Sequence, residues 1–239
     1  MKLKIYKDKN TVAEEFSKFF ASQTGENKEF HVALSGGSTP KIVFDVLAYE
    51  FGSSVDWSVV HFYWGDERCV SPDDDQSNYK MTVEHLFSKI DVPESNIHRI
   101  LGENDPIQEA QRYSTVLIDT LPNVNGYPQF DLVILGMGDD GHTASIFPHE
   151  IELWHSDKVC EVAVHPESGQ KRVTITGDAI NNAKTVAFLV TGESKVEKVS
   201  EILDQKGGFK SYPANLVAPK SGNLLWFLDE AAATGITSK

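Results

Sequence analysis

Short apolar runs alternate along the chain with stretches in which apolar residues return every three or four positions. That alternation predicts strands and helices in turn, and so a parallel sheet covered by helices. The opening Met1-Lys2-Leu3-Lys4 leads into a short strand. Val12, Phe16, Phe19 and Phe20 share one helical face over about residues 11–23, where Thr11 and Glu14 can form a capping box. Phe30 to Leu34 reads as a strand, and Thr39-Pro40 as a helix start with proline at its first position. Trp57 to Tyr63 is the next strand, followed by a helix near 77–88 and another from Asp105-Pro106 to about 119. Phe130 to Leu135 has the continuous apolar character of a strand buried on both faces. Strands are expected near 159–164, 172–176, 185–190 and 224–228, with helices near 178–183 and 193–204. The polar stretches at 71–76 and 121–129 are too short to be domain linkers. The expectation is a single α/β domain over residues 1–239, an open, mostly parallel sheet with helices on both faces.

Charge narrows the function classes. Lys plus Arg is 22 and Asp plus Glu is 35, a net charge of −13 with no basic run. Such a chain repels nucleic acid and anionic membrane surfaces, so neither is expected as a partner. No apolar stretch reaches the ~20 residues of a membrane span, and the N-terminus does not read as a leader. Cys69 and Cys160 alone provide neither a disulfide framework nor a cysteine-rich zinc site. These features leave a soluble cytoplasmic protein, with an enzyme as the leading class; the expected partner is a small molecule and the expected assembly a monomer or small homo-oligomer.

In open parallel sheets ligands bind beyond the carboxyl ends of the strands, so the loop after each strand is where chemistry is sought. Ser35-Gly36-Gly37-Ser38-Thr39-Pro40 follows the second strand. Paired glycines allow close backbone approach, and the helix N-terminus behind them offers N–H groups to an anion, which reads as a phosphate cradle. A plain tight turn with a helix cap is the alternative. Gly65-Asp66-Glu67-Arg68 sets two carboxylates beside an arginine suited to phosphate or carboxylate; a solvated surface ion pair is the alternative. Gly136-Met137-Gly138-Asp139-Asp140-Gly141-His142-Thr143 contains the best general-base candidate, His142, with Asp140 placed to hold its tautomer. Gly136, Gly138 and Gly141 also fit a dinucleotide-binding pattern, although Asp139 and Asp140 would repel a pyrophosphate. Asp139, Asp140 and His142 are too few and too close in sequence for a convincing metal site. In Thr191-Gly192-Glu193-Ser194-Lys195, Lys195 opposes the dipole of the helix it begins, a conflict that a bound anion would remove. Arg172, at the start of a strand, gains interest only in the company of these groups. Cys69 follows Arg68, which can lower a thiol pKa, but it has no histidine partner in sequence.

Taken in order, LSGGSTP at 34–40, WGDERCV at 64–70, SNY at 77–79, LGMGDDGHTASIFP at 135–148, RVTIT at 172–176, TGESK at 191–195 and WFLDEAA at 226–232 resemble the 6-phosphogluconolactonase family, itself similar to the glucosamine-6-phosphate deaminases. The resemblance implies hydrolysis of 6-phospho-glucono-1,5-lactone without metal or organic cofactor. It places the general base on His142, its supporting carboxylate on Asp140 and the acid facing the sugar ring on Asp66. It places phosphate binding on Gly36, Gly37, Ser38, Thr39, Arg68, Arg172 and Lys195. The deaminases carry Asp-Glu-Tyr where this chain has Asp66-Glu67-Arg68, and a glutamate where it has Phe147, so the lactonase pattern fits better. An amino-sugar phosphate deaminase, a non-catalytic sugar-phosphate sensor and a nicotinamide oxidoreductase stand as the alternatives.

Overall fold

A computed structural model describes residues 1–25 and 28–237. The chain runs β1 (Lys2–Tyr6), α1 (Lys9–Gln23), β2 (Phe30–Leu34), α2 (Ser38–Phe51), β3 (Val60–Trp64), β4 (Asp66–Arg68), α3 (Asn78–His85), α4 (Pro106–Thr120), a hairpin of β5 (Asn123–Val124) and β6 (Tyr127–Pro128), β7 (Leu132–Leu135), β8 (Cys160–Val164), β9 (Lys171–Ile175), α5 (Gly177–Asn181), β10 (Thr185–Val190), α6 (Val196–Leu203), β11 (Leu224–Asp229) and α7 (Glu230–Ala233). The main sheet has the order β1-β11-β10-β7-β2-β3, with every pairing parallel. From β2 the chain steps outward to β3, then returns to the other side of β2 to lay down β7, β10 and β11. The order therefore reverses between β2 and β7, which opens a crevice at their carboxyl ends.

Helices lie on both faces. On one, Phe20 of α1 meets Phe30 edge-on at 5.7 Å. On the other, the Tyr63 hydroxyl donates to Thr120 Oγ1 of α4 at 3.0 Å. The outer edge of β3 is closed by Tyr113, whose hydroxyl bonds both the N–H and the C=O of Trp64. Among the described residues no helix is long and apolar enough to cross a membrane.

A second, antiparallel sheet of order β4-β9-β8 stands at the end of the first. Gly65 joins them: its N–H donates to the Leu34 carbonyl and its carbonyl accepts from the Ile175 N–H, both at 2.9 Å. The segment expected as a loop at Gly65 to Arg68 is thus largely strand β4. Its carboxylates and arginine gave no strand signal, and long-range pairing with β9 decides the conformation.

Other boundaries shift for local reasons. Helix α1 is capped by Asp8, which accepts from the Thr11 N–H at 2.9 Å, and not by a Thr11–Glu14 box. Pro40 is the third residue of α2, where its missing N–H still costs nothing because the first turn has no intrahelical partner. Trp57–Val59 is a 3-10 turn capped by Asp56, so β3 begins at Val60. The third helix ends at His85, with a 3-10 turn Phe87–Lys89 beyond it. The loop at 121–129 holds the β5–β6 hairpin. Residues Glu193–Lys195 form a 3-10 turn before α6.

At the amino ends of β2 and β3, His31 and His61 are cross-strand neighbours with rings 5.0 Å apart. His61 Nδ1 lies 3.3 Å from His98 Nε2, and His98 stacks on Tyr63 at 4.5 Å. Burial, then His61 and His31, push His98 down to about 4. Burial and His61 lower His31 against the opposing pull of Asp131 and Glu29. The folded state therefore disfavours protons that the unfolded chain accepts below about pH 6.5. Stability should be greatest above that pH and fall as the pH drops toward 4. Urea unfolding at pH 7.5 and 5 should show this fall, and His98→Phe, which keeps the stack, should flatten it. An equal slope in the variant would remove His98 as a cause.

Candidate active site

The four chemistry-bearing loops meet because they follow β2, β3, β7 and β10, four adjacent strands of the main sheet. Gly36, Gly37, Ser38, Thr39, Asp66, Arg68, His142, Arg172 and Lys195 line one cleft there. Asp140 stands behind His142: Asp140 Oδ1 lies 2.6 Å from His142 Nδ1 and accepts the His142 backbone N–H at 3.1 Å. Burial opposes ionisation of Asp140, but the hydrogen bonds from His142 and the charge of its ring outweigh it and hold the carboxyl at about 2. An ionised carboxylate only accepts, so Nδ1 must donate, and in the neutral ring Nε2 is left with the lone pair.

The dyad needs Gly138. A Cβ there would lie 2.1 Å from His142 Nδ1 and 2.6 Å from Asp140 Oδ1. Gly138→Ala should therefore displace the ring and lower turnover about 100-fold while ligand affinity changes little, since misplacement of a reacting group by ~1 Å costs that much. Steady-state kinetics beside a direct binding measurement would check this, and unchanged turnover would show that the loop yields.

The segment after β7 is a run of turns and does not open a helix. It therefore lacks the helix N-terminus on which a dinucleotide pyrophosphate would rest. Nor do its acids converge. Asp139 pairs with Lys195 at 2.6 Å and Asp140 with His142. Among the described residues no group of three His, Cys, Asp or Glu side chains is arranged for a metal ion. Lys195 caps α6, and its conflict with the helix dipole is met here by Asp139, whose carboxyl that lysine lowers, without need of a bound anion.

The cationic wall is built across the small sheet, where Arg68 of β4 and Arg172 of β9 face each other as direct cross-strand partners. Like charges in that relation destabilise a ladder. Both Nε groups are buried without a hydrogen-bond partner. Burial draws the Arg172 pKa down, Asp66 opposes the fall and Arg68 adds to it. Arg68 bonds neither neighbouring carboxylate with its guanidinium; its Nη1 donates to the Gln76 carbonyl. Glu67 turns instead to α3, accepting the N–H groups of Asn78 and Tyr79 at 2.8 Å each. Burial raises the Glu67 carboxyl despite those bonds.

Opposite lies the start of α2, capped by Gly37 without any side-chain hydrogen bond. The Thr39 hydroxyl is 2.8 Å from that of Thr191 and ties the loops after β2 and β10. Asn78 approaches so closely that a Cβ on Gly36 would lie 1.9 Å from its Oδ1, and its amide donates to the Asp66 carbonyl at 2.9 Å. Asn78, Thr191 and Ser145 lie within the segments that carry the family resemblance, yet they carry no charge and fit no catalytic spacing, so the sequence assigns them no individual role. Cys69 does not join the site chemistry: burial, with Glu67 adding, pushes its thiol up to about 11, the reverse of activation by Arg68.

The profile of the family described as "Glucosamine-6-phosphate isomerases/6-phosphogluconolactonase" matches residues 8–226. The chain belongs to this family. It is 43% identical over 202 residues to a 6-phosphogluconolactonase of Treponema pallidum (strain Nichols), covering 84% of each chain. It is 44% identical over 207 residues to that of Haemophilus influenzae, covering 86% of this chain and 87% of the relative. The solved 6-phosphogluconolactonase of Trypanosoma brucei superposes with a TM-score of 0.89 at 27% identity, covering 98% of both chains. A monomeric glucosamine-6-phosphate deaminase shares the fold, with a TM-score of 0.81 at 19% identity over 98% of this chain and 100% of that one.

Proposed function

We propose that this protein hydrolyses 6-phospho-glucono-1,5-lactone to 6-phosphogluconate, a step of the oxidative pentose phosphate pathway. The observation that carries the reading is the joining, in one cleft, of a carboxylate-oriented imidazole with two facing guanidinium groups whose Nε atoms are buried without a hydrogen-bond partner. The first suits water activation and the second a phosphate. The curated relatives' names point to the same substrate.

His142 Nε2 takes a proton from water as the water oxygen attacks C1 of the lactone. The tetrahedral intermediate collapses with cleavage of the bond between C1 and the ring oxygen. The ring oxygen takes the proton back from His142, and the new carboxylic acid ionises. A lactone is an activated ester, so no covalent nucleophile is needed, and the step as drawn uses no metal or organic cofactor. Phosphate held by Arg68, Arg172, Lys195 and the start of α2 fixes the ring at a distance from the reacting carbon, so its binding energy serves positioning. On a chain of net charge −13, that focused positive wall is what admits an anionic substrate. Asp66, at the border of the two regions, faces the sugar hydroxyls. Phe147, whose ring lies 4.6 Å from that of His142, presents an apolar surface where amino-sugar chemistry would call for another carboxylate.

Acid release from freshly generated lactone, followed in weak buffer with and without protein, tests the reading. The spontaneous rate is the baseline. The expected result is acceleration well above it; a folded protein that leaves the rate unchanged would overturn the proposal.

A further inference from the structure

We infer that Ser145 is a positioning residue that keeps Asp66 and Arg172 apart so that each can meet the ligand; this rests on the anion-binding part of the reading above. Ser145 is wholly buried, three residues beyond His142. Its hydroxyl donates to Asp66 Oδ2 at 2.6 Å, and Arg172 Nη1 donates to that hydroxyl at 3.4 Å. Its backbone N–H donates to Thr174 Oγ1 at 3.2 Å. The hydroxyl is therefore interposed between a buried carboxylate and a half-buried guanidinium of opposite charge.

The backbone is bent to put it there. Ala144 has a φ of 48°, in the left-handed region that non-glycine residues rarely adopt. Its neighbour Thr143 anchors the turn by donating from Oγ1 to the Gly136 carbonyl at 2.8 Å. Strain of this kind persists only where the surroundings over-determine it. Here the result of the bend is delivery of one hydroxyl to Asp66.

A hydroxyl has one proton to give and can accept as well, so it satisfies both neighbours without neutralising either. Occupying Oδ2 leaves Oδ1 of Asp66 available to a sugar hydroxyl. Accepting weakly from Nη1 holds Arg172 short of the carboxylate, with its Nε still unpaired. Without the hydroxyl, carboxylate and guanidinium would close on each other, and the anion would have to break that pair to bind.

Inorganic phosphate is the probe, because its binding is measured by calorimetry without any turnover. Ser145→Ala should weaken phosphate binding about tenfold, the scale of a hydrogen bond to a charged group. Asp66→Asn should bind phosphate at least as tightly as the wild type. In Ser145→Ala/Asp66→Asn, with no carboxylate left to capture Arg172, affinity should return to that of Asp66→Asn alone. A purely structural role would instead give losses that add. Should Ser145→Ala fail to fold, the Asp66→Asn pair with and without Ser145 still decides, since equal affinities are expected. Wild-type affinity in Ser145→Ala, or a double variant as weak as that single one, would overturn the inference. A wild-type protein that binds no phosphate would overturn both this inference and the anion-binding reading. Phosphate binding without lactone hydrolysis would overturn the reaction alone.

Discussion

His142→Ala should lower kcat/KM for lactone opening by about 10²–10⁴, the usual contribution of a positioned general base. Phosphate affinity should stay close to that of the wild type. The split follows from geometry, because His142 is hydrogen-bonded to Asp140 and not to the guanidinium groups proposed to bind the anion. Asp140→Asn refines the test. An asparagine can present either oxygen or N–H to Nδ1, so the tautomer is no longer dictated. Its loss should fall in turnover with a smaller effect than removal of the ring. Because Asp140 is held ionised down to about 2, turnover should show no acidic limb from this carboxyl anywhere near neutrality. If His142→Ala retains full activity, the base lies elsewhere. If it loses phosphate affinity as well, the ring holds the loop as a whole and does not act alone.

Arg172→Met should do two opposite things. Burial and Arg68, which faces it on the same rung between β4 and β9, together disfavour the Arg172 charge by more than Asp66 favours it, so the empty variant should unfold at a higher temperature than the wild type. The substitution also deletes a cationic donor of the proposed anion site, and phosphate affinity should fall about 10–100-fold, the range for hydrogen bonds to charged groups. The guanidinium carbon lies 5.5 Å from the Phe147 ring centre, and the thioether of methionine can take up a sulfur–aromatic contact in its place. Thermal melts with and without phosphate give both readouts in one experiment. A variant that is less stable when empty would show that the rung stabilises the fold by itself. A variant with unchanged phosphate affinity would remove Arg172 from the anion site.

The placement of the four loops was legible in the chain because it depends on one rule. Apolar runs such as Phe30 to Leu34 and Thr185 to Val190 make parallel strands, and chemistry gathers after their carboxyl ends. The His142–Asp140 contact was legible too, since two residues of separation in a glycine-rich turn bring the side chains together. What could not be read was pairing at long range. Asp66 to Arg68 has no strand propensity and becomes a strand only by meeting Arg172 to Thr174, over a hundred residues away. The arginine rung and the Ser145 bridge follow from that pairing, so both were hidden with it. The fate of the acids beside His142 was hidden for another reason. Whether Asp139 faces a lysine or a ligand is set by side-chain direction, and spacing is silent on that. Helix starts failed by a residue or two where rival caps stood close, as Asp8 did to Thr11.

The seam at Gly65 bears on how the site meets its ligand. Trp64 belongs to one sheet and Asp66 to the other, and the bonds of Gly65 to Leu34 and Ile175 fix the angle between them. The wall bearing Asp66 and Arg68 is consequently as stiff as the ladder that carries it. On the proposed reading, substrate would enter a cavity already cut to shape, and little of its affinity would be consumed in ordering the chain. The amides of Gly65 and Ile175 should be among the slowest to exchange with solvent, and occupancy of the cleft should barely change their rates.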